Sequence, residues 1–301
     1  MKLFVVGDIC LDVLCSIRER AALGEEKHID NLTFSLGGNA ANFAFAAAKL
    51  GLKPELFSAI GKDFASGFLK QQAKSAGIKT HFIESGLQNS YSILLVEKNG
   101  QRFAYSSKGA LEKVTAKELE KNLLPKLKSG DLVFFGGYFH ILSLHPGFPQ
   151  LLKKIRKKNC LIGFDLCFDE FGKWKIFHFL HLIDFLFLNE LELTHLAKKK
   201  SEKAAIAFLL GKGASNIILK KGPKGSAFFS KEFFCREKAL PVKAIDTTGA
   251  GDIFNAAFLK AFFSGADAKK CLEFSNFVAA KKVEKHGLFV PPQSILKRKL
   301  Q

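Results

Sequence analysis

The amino-acid sequence predicts a three-layer αβα protein, with helices on both faces of a mainly parallel central sheet and a small β-sheet lid. Two observations carry this prediction. Short apolar runs alternate along the chain with longer helical patterns, as in repeated strand–helix–strand units. The strand-like runs also show little alternation of polar and apolar residues, as expected for strands that are buried on both faces. The chain has 301 residues, 48% of them hydrophobic, which is enough to bury such a core.

The predicted elements follow this rhythm from the N-terminus onward. "LFVVG" and "ELFSAIG" are predicted strands, and "NAANFAFAAAKLG" and "FASGFLKQQAKSAG" are predicted helices that end at Gly51 and Gly77, because glycine commonly terminates a helix. Four further strands are predicted at "DLVFFGG", "LIGFDL", "DFLFLN" and "NIILKKG". Helical patterns cover residues 116–128, 147–158, 173–182, 190–199 and 202–213.

Two β-rich pieces, "EEKHIDNLTFSLGG" and "SYSILLVEKNGQRFAYSSKG", interrupt the rhythm. The second contains Asn99-Gly100, a strong hairpin signal. Together they predict a small antiparallel sheet that stands off the main one and serves as a lid. The predicted division is a core of residues 1–12, 35–90 and 109–301, and a lid of residues 13–34 and 91–108.

Composition narrows the class of protein. The apolar N-terminus carries two aspartates and lacks a small-residue cleavage site, and no later apolar stretch is long enough to span a membrane, so we expect a soluble cytoplasmic protein without a membrane partner. The six cysteines form no C-x-x-C pair, which favours reduced thiols over a zinc site. The net charge of +18 is spread over lysine-rich helix ends and is interpreted as solvated surface charge.

The stretch "DTTGAGD", residues 246–252, precedes an apolar run with a helical pattern. Its small residues allow backbone N–H groups to point the same way at a helix N-terminus, which binds anions. Asp252 falls in the first helical turn, where it is either a simple capping residue or a general base beside an anion hole. Capping does not require two glycines and an alanine in front of it, so the second interpretation is favoured.

A second glycine-rich stretch, "SLGGNAANFAFAAAKLG", places Gly37 and Gly38 before an alanine-rich helix with Asn39 and Asn42 at its start. Two glycines allow the backbone to approach a ligand closely, and Asn42 can both donate to and accept from a hydroxyl-rich substrate. Taken alone, this stretch is better explained as an ordinary glycine turn before a core helix.

These two stretches resemble the two signatures of the ribokinase-like (PfkB) carbohydrate kinase family. Between them, "LNELE" resembles the N-x-x-E motif of that family, and "GFDLCFDEFGKWKIF" resembles the D-x-x-x-D-x-x-G-x-W segment common in its sugar kinases. The similarity runs from Leu3 to Pro291. It implies a ribokinase-like fold and the transfer of the γ-phosphoryl group of ATP to a hydroxyl group.

The resemblance also implies roles for individual residues. Asp252 matches the catalytic base, and Gly249, Ala250 and Gly251 match the anion hole. The residues that match substrate contacts are Asp12, Gly38 and Asn42. Without the resemblance, the favoured interpretation of Asp12 is a strand-end residue that caps a turn.

The resemblance implies a nucleotide and metal site as well. Asn189 and Glu192 match the pair that organises Mg²⁺ and the phosphates, largely through water, which agrees with the tendency of Mg²⁺ to keep several waters. The alternative for Glu192 is a solvated charge on a helix face. The positions that match contacts to ATP are Lys220, Gly222, Gly225, Asn276 and Ala279; Lys220 departs from the small polar residue frequent there, and it either reaches a phosphate or extends to solvent.

Some members of the family hold K⁺ beside the anion hole. Asp246, Thr248 and Gly287 stand at matching positions, but Lys282 and Lys285 lie nearby in the sequence, which leaves K⁺ binding open.

The acceptor is less well defined than the reaction. "GGYFH", residues 136–140, ends a strand on the ligand side of the sheet, so Tyr138 is expected in the substrate pocket, although an aromatic core residue is the simpler interpretation. A small carbohydrate is the expected acceptor. A nucleoside, suited by Tyr138 and Phe139, and a phosphosugar, met by Arg102, remain alternatives.

The sequence also bears on the macromolecular partners of the protein. A homodimer formed through the lid is an open alternative to a monomer. A nucleic-acid-binding protein with a degenerate kinase fold would explain the charge, but it is disfavoured because Asp252 and the N-x-x-E pair are intact, and no nucleic-acid partner is expected.

Overall fold

The computed structural model describes residues 1–97 and 102–300. Within these residues thirteen strands form two sheets. The strands are β1 (Leu3–Gly7), β2 (Cys10–Ile17), β3 (Asn31–Gly37), β4 (Pro54–Ile60), β5 (Lys79–Glu84), β6 (Tyr91–Glu97), β7 (Arg102–Ser107), β8 (Leu132–Gly136), β9 (Leu161–Asp165), β10 (Phe185–Asn189), β11 (Asn216–Lys220), β12 (Ser226–Phe229) and β13 (Phe234–Glu237).

The large sheet has nine strands in the order β13-β12-β11-β10-β9-β8-β1-β4-β5. All pairs from β5 to β11 are parallel, and β12 and β13 continue the sheet antiparallel at one edge. The predicted mainly parallel sheet is therefore confirmed. The sequence patterns did not predict β5, β12 and β13, which are edge or near-edge strands with shorter or less apolar runs.

Helices cover both faces of this sheet, and they account for the three layers. In the described residues they are α1 (Asn39–Lys49), α2 (Ala65–Ser75), α3 (Ala116–Asn122), α4 (Phe148–Lys157), α5 (Glu190–Ala197), α6 (Glu202–Gly211), α7 (Ala250–Phe263), α8 (Ala268–Val283) and α9 (Gln293–Leu300). Two separate hydrophobic clusters result: α3, α4, α5 and α6 contribute to one, and α1, α2, α7, α8 and α9 to the other.

Strand β1 shows why its sequence lacks polar alternation. Phe4 and Val6 belong to one hydrophobic cluster, and Leu3 and Val5 belong to the other. Because successive strand residues point to opposite faces, a strand with helices on both sides needs apolar residues at every position. Each such side chain contributes roughly 1.5–3 kcal/mol when it is fully buried.

The helix predicted over residues 173–182 is wrong. Apart from a short 3₁₀ turn at Leu180–Leu182, this segment is irregular. Trp174 has a positive φ of 45°, which interrupts a helix, and its N–H donates to the Asp169 carboxylate (2.7 Å). The apolar residues that suggested a helix fill the core from an irregular backbone, because Trp174, Ile176 and Phe179 are all buried.

The helix predicted over 116–128 is shorter than expected. Helix α3 ends at Asn122, and a 3₁₀ turn occupies Leu124–Lys126. Pro125 accounts for the break, since proline lacks the N–H that continues a helix and disfavours helical geometry in the residue before it.

The small sheet has the strand order β3-β2-β6-β7. The outer pairs are antiparallel, but β2 and β6 are parallel, so the prediction of an antiparallel lid is wrong for the central pair. Parallel neighbours require a long crossover, and the core elements between β3 and β6 supply it. Strands β2 and β3 also extend beyond 13–34, so Asp12 lies on a strand of the small sheet.

The predicted hairpin turn at Asn99-Gly100 lies outside the described residues. Among those that are described, no helix is both long and apolar enough to cross a membrane.

Candidate active site

The predicted site residues collect along the edge of the large sheet at which its parallel strands end. Strands β9, β10 and β11 end there at Asp165, Asn189 and Lys220, and helices α1 and α7 begin there. Ligands of open α/β sheets bind at this edge, because the loops and helix N-termini there leave polar backbone groups available.

Asp252 lies in the first turn of α7, which follows Gly249 in the left-handed conformation (φ 72°). The carboxylate is 7% exposed. Its Oδ2 accepts a hydrogen bond from Nδ2 of Asn42 (3.1 Å), and its Oδ1 accepts a longer one from Nδ2 of Asn39 (3.4 Å). Among the described residues it accepts none from the backbone of α7, so these contacts do not support the capping interpretation.

The surroundings of Asp252 raise its pKa well above the ordinary value of an aspartate. Burial is the main cause, the negative charge of Asp165 adds to it, and the ammonium of Lys220 and the hydrogen bond from Asn42 oppose it. A carboxylate with a raised pKa holds a proton more strongly, which suits a group that must take one from a hydroxyl.

The backbone amides at the start of α7 differ in availability. The N–H of Ala250 donates to the carbonyl of Thr247 (3.2 Å) and closes a turn. In the described part of the chain, the N–H groups of Gly249, Gly251 and Asp252 have no acceptor. Of the three residues predicted for the anion hole, Gly249 and Gly251 therefore retain an available N–H, and Asp252 adds one that was not predicted.

Lys220 ends β11 and does not extend to solvent. Its Nζ donates to Oδ2 of Asp165 (2.7 Å), and the buried amide of Asn255 donates to the same oxygen (2.5 Å). Burial alone would lower the pKa of Lys220, but the charges of Asp165 and Glu192 outweigh it and raise the pKa. A Cβ at Gly251 would lie 3.4 Å from this ammonium, so Lys220 borders the start of α7.

Asp165 and Asn255 were not predicted as site residues. Asp165 was visible as the first aspartate of "DLCFD", near the end of the predicted strand "LIGFDL", whereas Asn255 follows the "GAGD" stretch by one turn and carried no separate signal.

Asn189 and Glu192 form a capping box at the start of α5. Oδ1 of Asn189 accepts the N–H of Glu192, and Oε2 of Glu192 accepts the N–H of Asn189, both at 2.8 Å. Glu192 is 5% exposed, which excludes the solvated helix-face charge. Burial and the charge of Asp165 raise its pKa to about 7, although Lys220 and the bonds to Asn189 lower it.

A cavity of about 510 Å³ adjoins the start of α7. One end is polar, with Lys220 and Gly251, and much of the remaining lining is apolar. Of the predicted residues, the cavity brings together Lys220, Gly222, Gly225, Ala250, Gly251, Asn276 and Ala279.

Most of the apolar wall of this cavity was not predicted. It comes from the segment 239–244 between β13 and α7, and from Phe254, Ala280 and Val283. The letters "ALPVKA" identify an extended, proline-containing segment without showing what it faces.

Two of the predicted nucleotide-binding residues also hold the cavity wall together. The side-chain amide of Asn276 donates to the carbonyls of Glu237 (3.2 Å) and Lys238 (3.3 Å), which tie α8 to the end of β13. Gly225 has a φ of 99°, and a Cβ there would lie 2.0 Å from the carbonyl oxygen of Glu237, so only glycine fits this close approach.

Asp12 lies on β2, and Gly38 and Asn42 lie at the start of α1, where Asn42 contacts Asp252. Burial raises the pKa of Asp12 to about 6, while the thiol of Cys10, which donates to its Oδ1 (3.2 Å), lowers it. Asn42 directs its amide group to Asp252, and its Oδ1 is buried without a hydrogen-bond partner among the described residues. A buried acceptor that lacks a donor is costly, which marks this point as one where a ligand hydroxyl would be stabilising.

Asp8 and His140 also lie at this edge; Asp8 was not predicted, and His140 is the last residue of the stretch 136–140 that was expected to form part of the substrate pocket. Oδ1 of Asp8 accepts the N–H of Ala40 at the start of α1 (2.9 Å), and its Oδ2 lies 3.0 Å from Nδ1 of His140. Asp8 thus fixes the start of α1, on which Asn42 lies.

Tyr138 does not join the predicted substrate residues. It is 4% exposed, and its ring packs against the rings of Phe139, His145 and Phe148 in the hydrophobic core. The pocket-wall prediction for Tyr138 is therefore corrected in favour of the core interpretation. The strand-end position was read correctly, but the direction of the side chain depends on the positive φ of Gly137 (69°), which the letters do not reveal.

The three residues matched to a K⁺ site lie together. Asp246 accepts the N–H of Thr248 at Oδ1 (2.8 Å) and that of Gly287 at Oδ2 (2.9 Å). The ammonium of Lys282 donates to the carbonyl oxygen of Asp246 (2.7 Å) and lies 3.1 Å from its Oδ2.

Comparison with known proteins shows a family model that matches almost the whole chain. The model for the pfkB family of carbohydrate kinases matches residues 1–294. A protein of Methanothermobacter thermautotrophicus named nucleoside kinase is 25% identical over 290 residues, which cover 95% of this chain and 90% of that protein.

Solved structures agree over the same length. A ribokinase of Thermotoga maritima superposes with a TM-score of 0.84 at 26% identity, covering 99% of both chains. A structure from Escherichia coli that contains ATP and Mg²⁺ superposes with a TM-score of 0.84, covers 100% of this chain and 99% of the other, and at 19% identity shows the fold alone.

Proposed function

The chain belongs to the pfkB family of carbohydrate kinases and is an ATP-dependent phosphotransferase, and we propose that it phosphorylates a hydroxyl group of a small carbohydrate with Asp252 as general base. The family membership establishes a kinase that acts on a sugar or a nucleoside. The observation that carries the finer proposal is the placement of the Asp252 carboxylate, which is held by amides of α1 beside backbone N–H groups that have no acceptor in the described structure.

In this proposal Asp252 takes the proton of the acceptor hydroxyl as its oxygen attacks the γ-phosphorus. Asn42 and Asn39 hold the carboxylate in one orientation through their side-chain amides. Burial strengthens the base, because a desolvated carboxylate gains more from binding a proton. General-base assistance of this kind is typically worth ~10²–10⁴-fold in rate.

The start of α7 supplies the stabilisation of negative charge. The N–H groups of Gly251 and Asp252, which have no acceptor among the described residues, lie at the positive end of the helix dipole, where an anion is favoured. The ammonium of Lys220, which is paired with Asp165, lies beside Gly251 and places a cation at this point. Both are fixed in place before the reaction, which is the condition for effective transition-state stabilisation.

The cavity that begins at Lys220 and Gly251 is proposed to bind ATP. Its polar end borders the anion hole, and its apolar wall, formed with Ala279 on α8, suits an adenine ring. This arrangement would direct the terminal phosphate toward Asp252.

Asn189 and Glu192 are proposed to act on Mg²⁺ through water. Oxygen donors are the ligands that Mg²⁺ prefers, and Glu192 offers a buried carboxylate whose pKa is raised first by burial and then by the negative charge of Asp165, so the residues fit a nearby divalent cation. One oxygen of each, Oδ1 of Asn189 and Oε2 of Glu192, already serves the capping box, which argues for an outer position over direct ligation. When bound, Mg²⁺ neutralises charge on the donor phosphates.

Asp12 and Asn42 are proposed to bind hydroxyls of the acceptor. Both are buried, Asp12 offers carboxylate oxygens, and Asn42 offers an unused acceptor. Hydrogen-bonding groups fixed in this way discriminate strongly for substrates with matching hydroxyls. Gly38 immediately precedes α1 with a φ of 97°, and a Cβ there would lie 2.6 Å from the carbonyl oxygen of Asp8, so glycine allows the start of α1 to approach the chain between β1 and β2 closely.

A nucleoside is the second candidate acceptor, and the name of the Methanothermobacter relative favours it. The sequence argument for it is weaker than expected, since the rings of Tyr138 and Phe139 are buried in the core and do not form a wall for a nucleobase. A phosphosugar was suggested by Arg102, whose side chain lies outside the described part of the structure.

The small sheet is proposed to act as a lid and as a dimer contact. Asp12, Ser35, Ser92 and Ser106 lie opposite one another on one of its faces, in line with a substrate-facing surface. The other face carries a row formed by Phe34, Val13, Ile93 and Tyr105, in which the three residues other than Val13 are exposed. An exposed apolar row of this kind is typical of a contact surface.

A panel of acceptors tests the proposed function. ADP release is measured with ATP and Mg²⁺ over pentoses, hexoses, polyols, sugar phosphates and nucleosides, with Asp252→Asn as the matched control. A free sugar is expected to give the highest kcat/KM. A nucleoside as the best acceptor would replace the first candidate by the second, and the absence of turnover with every acceptor would contradict both.

A further inference from the structure

Lys282, on the last turn of α8, is a lysine with a completely buried side chain. Its ammonium donates to the carbonyl oxygen of Asp246 at 2.7 Å and lies 3.1 Å from Oδ2 of the same residue. A buried ammonium is stable only when oxygen atoms replace its water shell, and Asp246 supplies two of them.

The Asp246 carboxylate holds the loop of residues 246–249, which leads into α7, through hydrogen bonds. It accepts the N–H groups of Thr248 and Gly287, one at each oxygen. Burial by itself would raise the pKa of Asp246, but the hydrogen bonds from Thr248 and Lys282 outweigh it and lower the pKa, so the carboxylate is ionised at neutral pH. The ion pair between Lys282 and Asp246 therefore joins α8 to the chain that leads into the start of α7.

The same loop is tied to α8 a second time by its backbone. The N–H groups of Ile245 and Asp246 both donate to the carbonyl of Val283 (2.7 and 3.2 Å), the residue after Lys282. Only three residues then separate Asp246 from Ala250, where α7 begins. A displacement of Asp246 would thus be passed to the amides of Gly249 and Gly251.

These residues do not fit a bound K⁺ ion. K⁺ is held by carbonyl and carboxylate oxygens that replace its hydration shell. The oxygens that Asp246 would offer are already at hydrogen-bond distance from the Lys282 ammonium. A second cation at the same oxygens would be repelled by the first, and the lysine cannot diffuse away because it is covalently attached.

We propose that the Lys282 ammonium is a built-in monovalent cation, which holds the Asp246 loop and the start of α7 in place and makes the protein independent of K⁺. Lys282 is a positioning residue, because it acts through Asp246 and not on the substrate. The effect on phosphoryl transfer rests on the function proposed above, whereas the effects on nucleotide affinity and on thermal stability do not.

The first test uses the wild-type protein. ADP affinity is measured by calorimetry, and melting temperature by scanning fluorimetry, as KCl replaces tetramethylammonium chloride at constant ionic strength. Both are expected to stay flat, with changes in affinity below about twofold, because no linked ion binds. A saturable rise of either quantity with K⁺ would overturn the proposal, and this holds whatever the activity of the protein proves to be.

The second test asks whether an external ion can replace the lysine. In Lys282→Met the ADP affinity in tetramethylammonium chloride is expected to fall by about tenfold, a usual size for coupling between linked sites, and to recover in KCl. The melting temperature of this variant, and of no other, is expected to rise with K⁺. Unchanged ADP affinity in tetramethylammonium chloride, or a loss that K⁺ does not restore, would contradict the proposal.

Lys281→Met is the matched control. Lys281 is the preceding residue of the same helix, and its ammonium pairs with Glu284 on the surface (2.8 Å). Removal of an exposed ion pair has a small effect, so this variant is expected to keep wild-type ADP affinity and show no response to K⁺. If Lys282→Met does not fold, the wild-type titration decides by itself.

Discussion

Asp252 and Lys220 are the residues on which the proposed chemistry depends, and each is controlled by its neighbours. The carboxylate of Asp252 is turned toward α1 by Asn42, and the ammonium of Lys220 is held by Asp165. Because these groups share a buried region, the charge of one sets the pKa of another. Substitutions of Asp252 and Lys220 should therefore change the pH dependence of the reaction as well as its rate.

Asp252→Asn keeps the shape of the side chain and removes the base. We expect kcat to fall by ~10²–10⁴-fold, with little change in ADP affinity. The melting temperature should not fall, since the variant removes a buried charge and no capping bond to α7. Asp267→Asn is the control, because Asp267 does cap α8 by accepting the N–H of Lys270 (2.7 Å), and this variant should keep wild-type kcat. Near-normal turnover in Asp252→Asn would exclude Asp252 as the base.

Lys220→Met is expected to move the acid limb of kcat/KM to higher pH. The Lys220 ammonium opposes the rise in the pKa of Asp252, so its removal raises that pKa further and keeps the base protonated over a wider range. The KM for ATP should also rise, because a cation beside the anion hole is lost. Lys221→Met, whose ammonium pairs with Glu202 instead, is the matched control. An acid limb that stays in place would contradict the proposed proximity of Lys220 to the base.

The small sheet is the element proposed to move as a lid. Its strand β2 follows β1 directly, so Asp12 lies on the small sheet, whereas Asp252 lies on α7, which packs against the large sheet. A movement of the small sheet would therefore carry one substrate-binding carboxylate toward the catalytic one. This links closure of the lid to assembly of the site.

Hydrogen exchange should detect this closure. Peptides from residues 13–34 and 91–108 are expected to become more protected when acceptor and ADP bind together, because the lid then excludes water from the site. Peptides from β1 and β8, which are buried on both faces, serve as internal controls and should not change. Equal protection of the lid peptides in both states would identify the small sheet as fixed structure.

Light scattering should detect the dimer formed through the lid. The wild-type protein is expected to be a dimer at micromolar concentration, and Phe34→Lys combined with Tyr105→Lys should give a monomer, since charges would face each other across the apolar row. Both positions are exposed, so the melting temperature of a monomeric subunit should change little. The control is Phe262→Lys, at an exposed position on α7 outside the small sheet, which should leave the dimer intact. A monomeric wild-type protein would contradict the prediction.

At the scale of the whole molecule, the buried carboxylates of the site lower the stability of the fold at neutral pH. Asp12, Glu192 and Asp252 all have pKa values raised chiefly by burial. Each of these groups binds its proton more tightly in the folded state than in the unfolded state. The free energy of unfolding therefore rises as the pH falls from the pKa of the folded state to the lower pKa of the unfolded state. The protein thus maintains its active site at a cost in stability, which ligands would offset.

Glu192→Gln isolates one part of this effect. The pKa of Glu192 is about 7 in the folded protein against 4.5 ordinarily, so the wild type should gain unfolding free energy relative to the variant as the pH falls from 8 to 5. The gain is at most about 3 kcal/mol, and urea denaturation in EDTA measures it. Glu190 lies at a more exposed position of the same helix start, so the unfolding free energy of Glu190→Gln should change with pH in the same way as that of the wild type. A constant difference between wild type and Glu192→Gln would refute the raised pKa.

The sequence by itself determined the fold class, the family and the stretches from which the site is built. It could do so because these features are local: unbroken apolar runs predict strands covered on both faces, and the glycines of "DTTGAGD" and "SLGGN" predict helix starts that leave backbone N–H groups available. The order of such stretches along the chain was sufficient for the family resemblance, which the family model then confirmed.

The tertiary structure alone decided which side chains meet. Lys220 bonds to Asp165, 55 residues away, and Lys282 bonds to Asp246, 36 residues away, so neither pairing appears in any local pattern. Tyr138 turned into the core and residues 173–182 stayed irregular because positive φ angles at Gly137 and Trp174 redirect the chain. The parallel pairing of β2 with β6 likewise depends on the path of the core between them. Side-chain partners, side-chain direction and strand pairing are set by the packing of distant elements, which periodicity and motif spacing do not encode.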